Sequence, residues 1–206
     1  MKRSRPQKTN PKSAKKMKTD KSIAPMYKNL STNVRLIKRN ADQGDLVCVL
    51  NANNYGAFLF KLSNAPNSSE FTALFDQYKI NAIQCTFYPQ QTEVTISNTA
   101  ATTVRASRMF TAIDYNDGDP PTSLDYLRQY DNVEVHNAVE PFSVYIPNPK
   151  FADATGALRT GYISTASPSI VHYGLKWALE ELNPGSAGTY TYKVETVYYF
   201  SFKNAK

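Results

Sequence analysis

Glycine, histidine and cysteine are all scarce in this chain, and each shortage removes a class of function. The eight glycines among 206 residues form neither a Gly-rich phosphate loop nor a nucleophile elbow. The two histidines, His136 and His172, stand on separate strand-like stretches and cannot supply the ligand cluster of hydrolytic or cupin-type metal chemistry. Two cysteines, Cys48 and Cys85, are too few for a disulfide framework and lack Cys-x-x-Cys spacing. Both lie in apolar runs and read as reduced core thiols, which points to a reducing cell interior. No apolar run approaches the roughly 20 residues of a membrane span. No apolar segment follows the basic start, so neither a membrane partner nor a secretory signal is expected. These absences argue against an enzyme, and no catalytic residue, metal or cofactor is assigned.

Acidic residues are present, but not in a ligand pattern. Asp114, Asp117 and Asp119 invite a calcium reading, yet an EF-hand loop beginning at Asp114 needs Gly at its sixth position and Glu at its twelfth. The chain has Asp119 and Asp125 there, so the stretch reads as a polar turn.

What the chain does have is charge segregation. Residues 1–21 hold nine cations, Lys2, Arg3, Arg5, Lys8, Lys12, Lys15, Lys16, Lys18 and Lys21, against one acid, Asp20. That is a net of +8 in a chain whose total is +7, which leaves residues 22–206 with a net of −1. The segment has no aromatic or β-branched aliphatic residue to bury, and Pro6 and Pro11 interrupt any helix, so it is expected to be disordered when free. Flexible Lys/Arg arms of this kind neutralise phosphates whatever the base sequence. Lys2 and Arg3, then Lys15, Lys16 and Lys18, also have the form of a bipartite nuclear-import signal. Residues 1–30 are therefore read as a basic nucleic-acid-binding arm and linker, and 31–206 as one folded domain.

That domain is built for pleated sheets, with 14 Tyr and 10 Phe against a single Trp. Strand candidates fall at residues 33–40 and 45–52, separated by a polar turn at Asp42-Gln43-Gly44. Others fall at 55–62, 78–88 and 108–115, with a strand pair or one bent strand over 133–146. Within 78–88, Ile83, Cys85 and Phe87 share one parity while Tyr78, Ile80 and Ala82 take the other, which predicts burial on both sides or a bulge. A short helical turn is expected over 70–75, capped by Ser68 or Ser69, and an amphipathic helix over 123–130 with Leu124, Leu127 and Tyr130 inward. Residues 90–104 look like a long surface excursion or hairpin and 151–167 like a loop, 170–182 is apolar but ambiguous, and 183–188 is a turn. The clearest strand is 189–203, where Tyr190, Tyr192, Val194, Tyr198, Phe200 and Phe202 share one parity. Its length of about 15 residues, far above the usual five or six, needs neighbours on both edges. The fold class is therefore all-β, an antiparallel sandwich of about eight strands.

Several stretches carry a resemblance. Phe75-Asp76-Gln77-Tyr78-Lys79-Ile80, running on to Thr86-Phe87-Tyr88-Pro89, is similar to a strand of circovirus-like capsid proteins of circular single-stranded DNA viruses. Glu140-Pro141-Phe142 and the stop at Pro147 and Pro149 resemble a second family strand. Tyr192-Lys193-Val194, leading to Tyr198-Tyr199-Phe200-Ser201-Phe202, resembles the last one. The resemblance implies a single jelly roll that self-assembles as about sixty copies into a small icosahedral, T=1-like shell. It implies single-stranded DNA as cargo, import receptors as further partners, and the virion and host nucleus as locations. By position, packaging and import fall on the nine cations above. With seven Lys and two Arg, the arm departs from the family's Arg-dominated pattern, and Lys neither forks onto phosphate nor stacks on bases. The alternatives are a satellite-type RNA virus coat and a non-viral β-sandwich nucleic-acid-binding or chaperone module. The latter would more often interleave aromatics with its cations.

Overall fold

A computed structural model of the chain describes residues 34–90, 108–181 and 188–206. The alternating C-terminal stretch forms the longest strand, β11 (Thr189–Ala205). It pairs antiparallel with β1 (Val34–Val49) on one edge and with β3 (Phe75–Pro89) on the other. β6 (Phe142–Pro147) completes a sheet of order β1-β11-β3-β6, and the two-residue β9 (Ile163–Ser164) pairs with the start of β3. The second sheet is centred on β10 (His172–Leu179), the apolar run whose state the sequence left ambiguous. It is flanked by β2 (Asn54–Phe60) and β4 (Arg108–Ala112), and β5 (Glu134–Asn137) lies beyond β4. Two further short strands, β7 (Lys150–Ala152) and β8 (Leu158–Arg159), extend the sheet past β4 along the same edge of β10. Eight strands thus form two antiparallel four-stranded sheets, β1-β11-β3-β6 and β2-β10-β4-β5, which is jelly-roll connectivity.

Two bulges set the registers. Asp42-Gln43-Gly44 does not reverse the chain. It lets Gln43 stand out of the ladder between the pairs Asp42–Glu195 and Gly44–Val194, so 34–49 is one strand and not two. The turn chemistry is real, with Gly44 at φ 86° and its N–H donating to Asp42 Oδ1 at 2.7 Å. But β11 offers a continuous row of partners, and pairing on both sides of the kink outweighs a reversal. In β3 the extra residue is Asn81, skipped between the pairs Ala82–Tyr199 and Ile80–Phe200. That bulge switches parity, so Tyr78 and Ile80 before it and Ile83, Cys85 and Phe87 after it all face the core.

Other expectations shift. Residues 133–146 become two strands in opposite sheets, joined over Ala138. Its carbonyl accepts the buried hydroxyls of Tyr190 and Tyr192 at 3.1 and 2.8 Å, which ties the crossing to the end of the core. Residues 151–167, expected as loop, contain β8 and β9 and most of β7. The helical turn is α1 (Ser68–Leu74), and neither serine caps it. Asn67 precedes it at φ 60° with no side-chain cap. In α2 (Leu124–Arg128), Ser123 accepts from the Tyr126 N–H, and Leu127 is buried with Leu124 and Tyr130 beside it.

The main core lies between the sheets, where Tyr78, Phe87, Tyr190, Tyr192, Tyr198, Phe200 and Phe202 are fully or almost fully buried. Thr196, which breaks the apolar alternation of β11, is also buried and faces the Cys85 thiol at 3.8 Å. A smaller cluster of Phe110, Ala112, Leu127 and Ala178 covers the outer face of the second sheet under α2. The outer face of the first sheet carries Lys38, Lys79, Tyr145, Lys193, Tyr199 and Lys203 in partial or full exposure.

Candidate nucleic-acid interface

The nine arm cations, Lys2 to Lys21, lie outside the described residues. Of the basic residues on β1, Arg39 packs its guanidinium over the Phe71 ring at 4.8 Å and donates to the Lys38 carbonyl at 2.9 Å. Lys38 takes the outward parity, with its Nζ 5.8 Å from the Tyr199 ring centroid. The cross-strand register orders the outer face of this sheet by rows. At one end Val34, Lys203 and Gln77 are aligned, then Leu36, Ser201 and Lys79, then Lys38, Tyr199 and Ala82. At the other end Asp42 pairs with Glu195, and Asp45 with Lys193. There Lys193 bonds Asp42 at 2.6 Å and lies 3.7 Å from Asp45. The Lys193 hydrogen bond is the main reason that the Asp42 carboxyl titrates below its ordinary range. With Asp42, Asp45 and Glu195 against Lys193 alone, this half of the face stays net negative, and the lysines of the other half stand apart from it.

Lys79 and Lys203 were not singled out from the sequence. Their signal was parity, since Lys203 falls on the polar side of the alternation in β11. Which rows they share depends on the two bulges.

The acidic loop after β4 has a different role from cation binding. Asp114 and Asp117 meet Lys176 of β10, with Nζ–Oδ distances of 2.9 and 2.7 Å. Lys176 is 2% exposed and Asp114 4%. Burial works against the charge on Lys176, but the bonds to Asp117 and Asp114 outweigh it and raise its pKa. Burial likewise opposes the Asp114 carboxylate. The hydroxyl of Tyr130 (2.6 Å), the Asn116 N–H (2.8 Å) and Lys176 outweigh it and hold the pKa low. The side chain of Asp119 takes no part in these contacts, and its backbone N–H donates to Asp117 Oδ1 at 2.9 Å. Among the described residues, no three His, Cys, Asp or Glu side chains are placed to share a metal.

The histidines are not brought together. His136 stacks on Phe142 at 4.0 Å and contacts Thr111 Oγ1 at 2.9 Å, and burial lowers its pKa. His172 is buried between Tyr78 and Phe151, and burial pushes its pKa down to about 4. Cys48 and Cys85 are free and buried, with burial raising both thiols to about 12. No helix among the described residues is long and apolar enough to cross a membrane.

The chain is similar in fold to solved viral shells. The 60-mer BFDV capsid protein superposes at a TM-score of 0.58 and 16% identity, over 85% of this chain and 96% of that one. The decameric BFDV capsid protein gives 0.55 and 16%, over 82% and 100%. Tobacco necrosis virus gives 0.56 and 11%, over 84% and 97%. At these identities the likeness establishes the jelly roll alone. No curated protein sequence matches the chain. The circovirus capsid protein family model matches residues 9–206, nearly the whole length. The chain belongs to the circovirus capsid protein family.

Proposed function

We propose that this capsid protein closes into a small icosahedral shell of about sixty copies and packages single-stranded DNA through residues 1–30, while residues 31–206 form the wall. The observation that carries this reading is the split of a net +8 in residues 1–21 from a net −1 in residues 22–206. A near-neutral body has little self-repulsion, so shells can close once the arms are neutralised. The likeness to a BFDV protein crystallised as a 60-mer supports the copy number.

With nine cations on a single strand, log K falls against log[salt] with a slope near −6 per arm. Extended, residues 1–21 reach roughly 70 Å, and as a coil about 25 Å. Sixty arms neutralise on the order of 480 phosphates, fewer than a kilobase-sized genome carries, so other cations make up the balance. Lys2, Arg3, Lys15, Lys16 and Lys18 act in addition as the nuclear-import signal, which takes the protein to the host nucleus.

The test is the 260/280 nm absorbance ratio of purified particles with and without residues 1–21. Truncated particles are expected to be empty, and a full nucleic-acid signal from them overturns the arm's role. Light scattering that finds only monomers or dimers, with nucleic acid present, overturns the shell. Digestion of the released cargo with DNase and RNase identifies it.

A further inference from the structure

We propose that the outer face of the β1-β11-β3-β6 sheet, in the half next to Val34, is a second nucleic-acid site that binds single strands by stacking bases on Tyr145 and Tyr199 and phosphates on Lys38, Lys79 and Lys203. The inference rests on the nucleic-acid reading above and deepens it, because residues 1–21, which hold the arm's nine cations, contain no aromatic residue on which bases could stack.

Lys203, Lys79 and Lys38 occupy three successive rows of the sheet, and same-face rows repeat about every 7 Å along a strand. The spacing suits successive phosphates of an extended strand. None of the three lysines forms an ion pair among the described residues, although Lys203 lies 4.2 Å from the Tyr162 ring centroid, whereas Lys193, five rows from Lys203 on the same strand, is held by two carboxylates. The phosphates of a strand would thus meet a positive end and be repelled from the Asp42–Glu195 end.

The aromatic part is adjacent. Tyr199 lies in the Lys38 row, and Tyr145, 39% exposed on β6, meets it edge-on with ring centroids 6.5 Å apart. A cation beside a ring with an exposed neighbour is the pairing that single-strand binders use, since every base has a π-face. The position also fits the chain's connectivity. Residues 1–33 join the fold at Val34, which is aligned with Lys203. The occupant is single-stranded nucleic acid, because the face offers both ring surface and cations that no carboxylate among the described residues neutralises.

The test uses the full chain and two probes, a 30-mer of thymidylate and inorganic polyphosphate, which has the charge without the bases. The triple variant Lys38→Gln, Lys79→Gln, Lys203→Gln is expected to make the salt slope on the oligonucleotide about 2 less steep. Tyr145→Leu is expected to weaken oligonucleotide binding about tenfold at fixed salt. It should leave the slope and polyphosphate affinity unchanged, while Tyr145→Phe, which keeps the ring, binds like the parent. An arm variant, Lys12→Gln, Lys15→Gln, Lys16→Gln, separates the two readings. If it changes the slope and the sheet variants change neither slope nor affinity, the sheet site is wrong and the arm stands. If neither set changes anything, both are wrong. A sheet variant that alters particle size by light scattering but keeps parental binding would make this face a contact between copies, and that also overturns the site.

Discussion

The ammonium of Lys176 lies 2.9 Å from a carboxylate oxygen of Asp114, both side chains are 3% exposed, and this pair pins the loop after β4 to the centre of the second sheet. Tyr130 donates to that same Asp114 oxygen at 2.6 Å, so the loop, the segment after α2 and β10 are fastened at one point. Removing one partner strands a buried charge, which costs about 3–5 kcal/mol. Lys176→Met is expected to lower the melting temperature by roughly 10 °C. Adding Asp114→Asn should cost less than the two single losses combined, and additive losses would show that the pair is not coupled.

Gly56 pairs with Trp177 across β2 and β10. A Cβ placed there would sit 2.5 and 2.6 Å from Cε2 and Nε1 of the indole. Gly56→Ala must push the ring aside, at about 1–3 kcal/mol. Trp177 is the chain's single tryptophan, so its fluorescence reports the site directly. The expected result is a lower melting temperature with emission shifted to longer wavelength, and an unchanged spectrum would refute the close approach.

His172 makes the fold sensitive to mild acid. Burial holds its pKa at about 4 against an ordinary 6.5, so below pH 6.5 protons bind the unfolded chain first. The neutral ring's contribution is complete above pH 6.5 and is lost as pH falls from 6.5 to 4, by about 3 kcal/mol. Denaturant titrations at pH 7 and pH 4.5 measure the loss. His172→Leu should flatten that part of the profile, whatever it does to stability at pH 7.

Phe200 sits at the centre of the longest strand, 1% exposed and stacked on Tyr198 at 5.3 Å. Phe200→Ala is expected to cost about 3–5 kcal/mol, a large share of a domain's stability. Parental thermal melting of this variant would remove β11 from the core.

By itself the sequence determined the all-β class, the central strand and the charged arm. Burial on one face of a strand imprints a period of two, which survives in Tyr190 through Phe202. Segregated charge is likewise a local property, visible in residues 1–21 without any fold. The parity break within 78–88 read as burial on both sides or a bulge for the same reason, and the pairing with β11 places the bulge at Asn81. What remained hidden depended on partners distant in the chain. Asp42-Gln43-Gly44 has identical chemistry in a turn and in a bulge, and the continuous edge of β11 decided between them. Asp114 and Asp117 read as a solvated turn because nothing near them in sequence announces Lys176. Lys38, Lys79 and Lys203 come from three different strands, and only the registers set by the bulges at Gln43 and Asn81 place them on neighbouring rows of one face. A strand's own residues encode which side is buried, and its pairing encodes what that side meets.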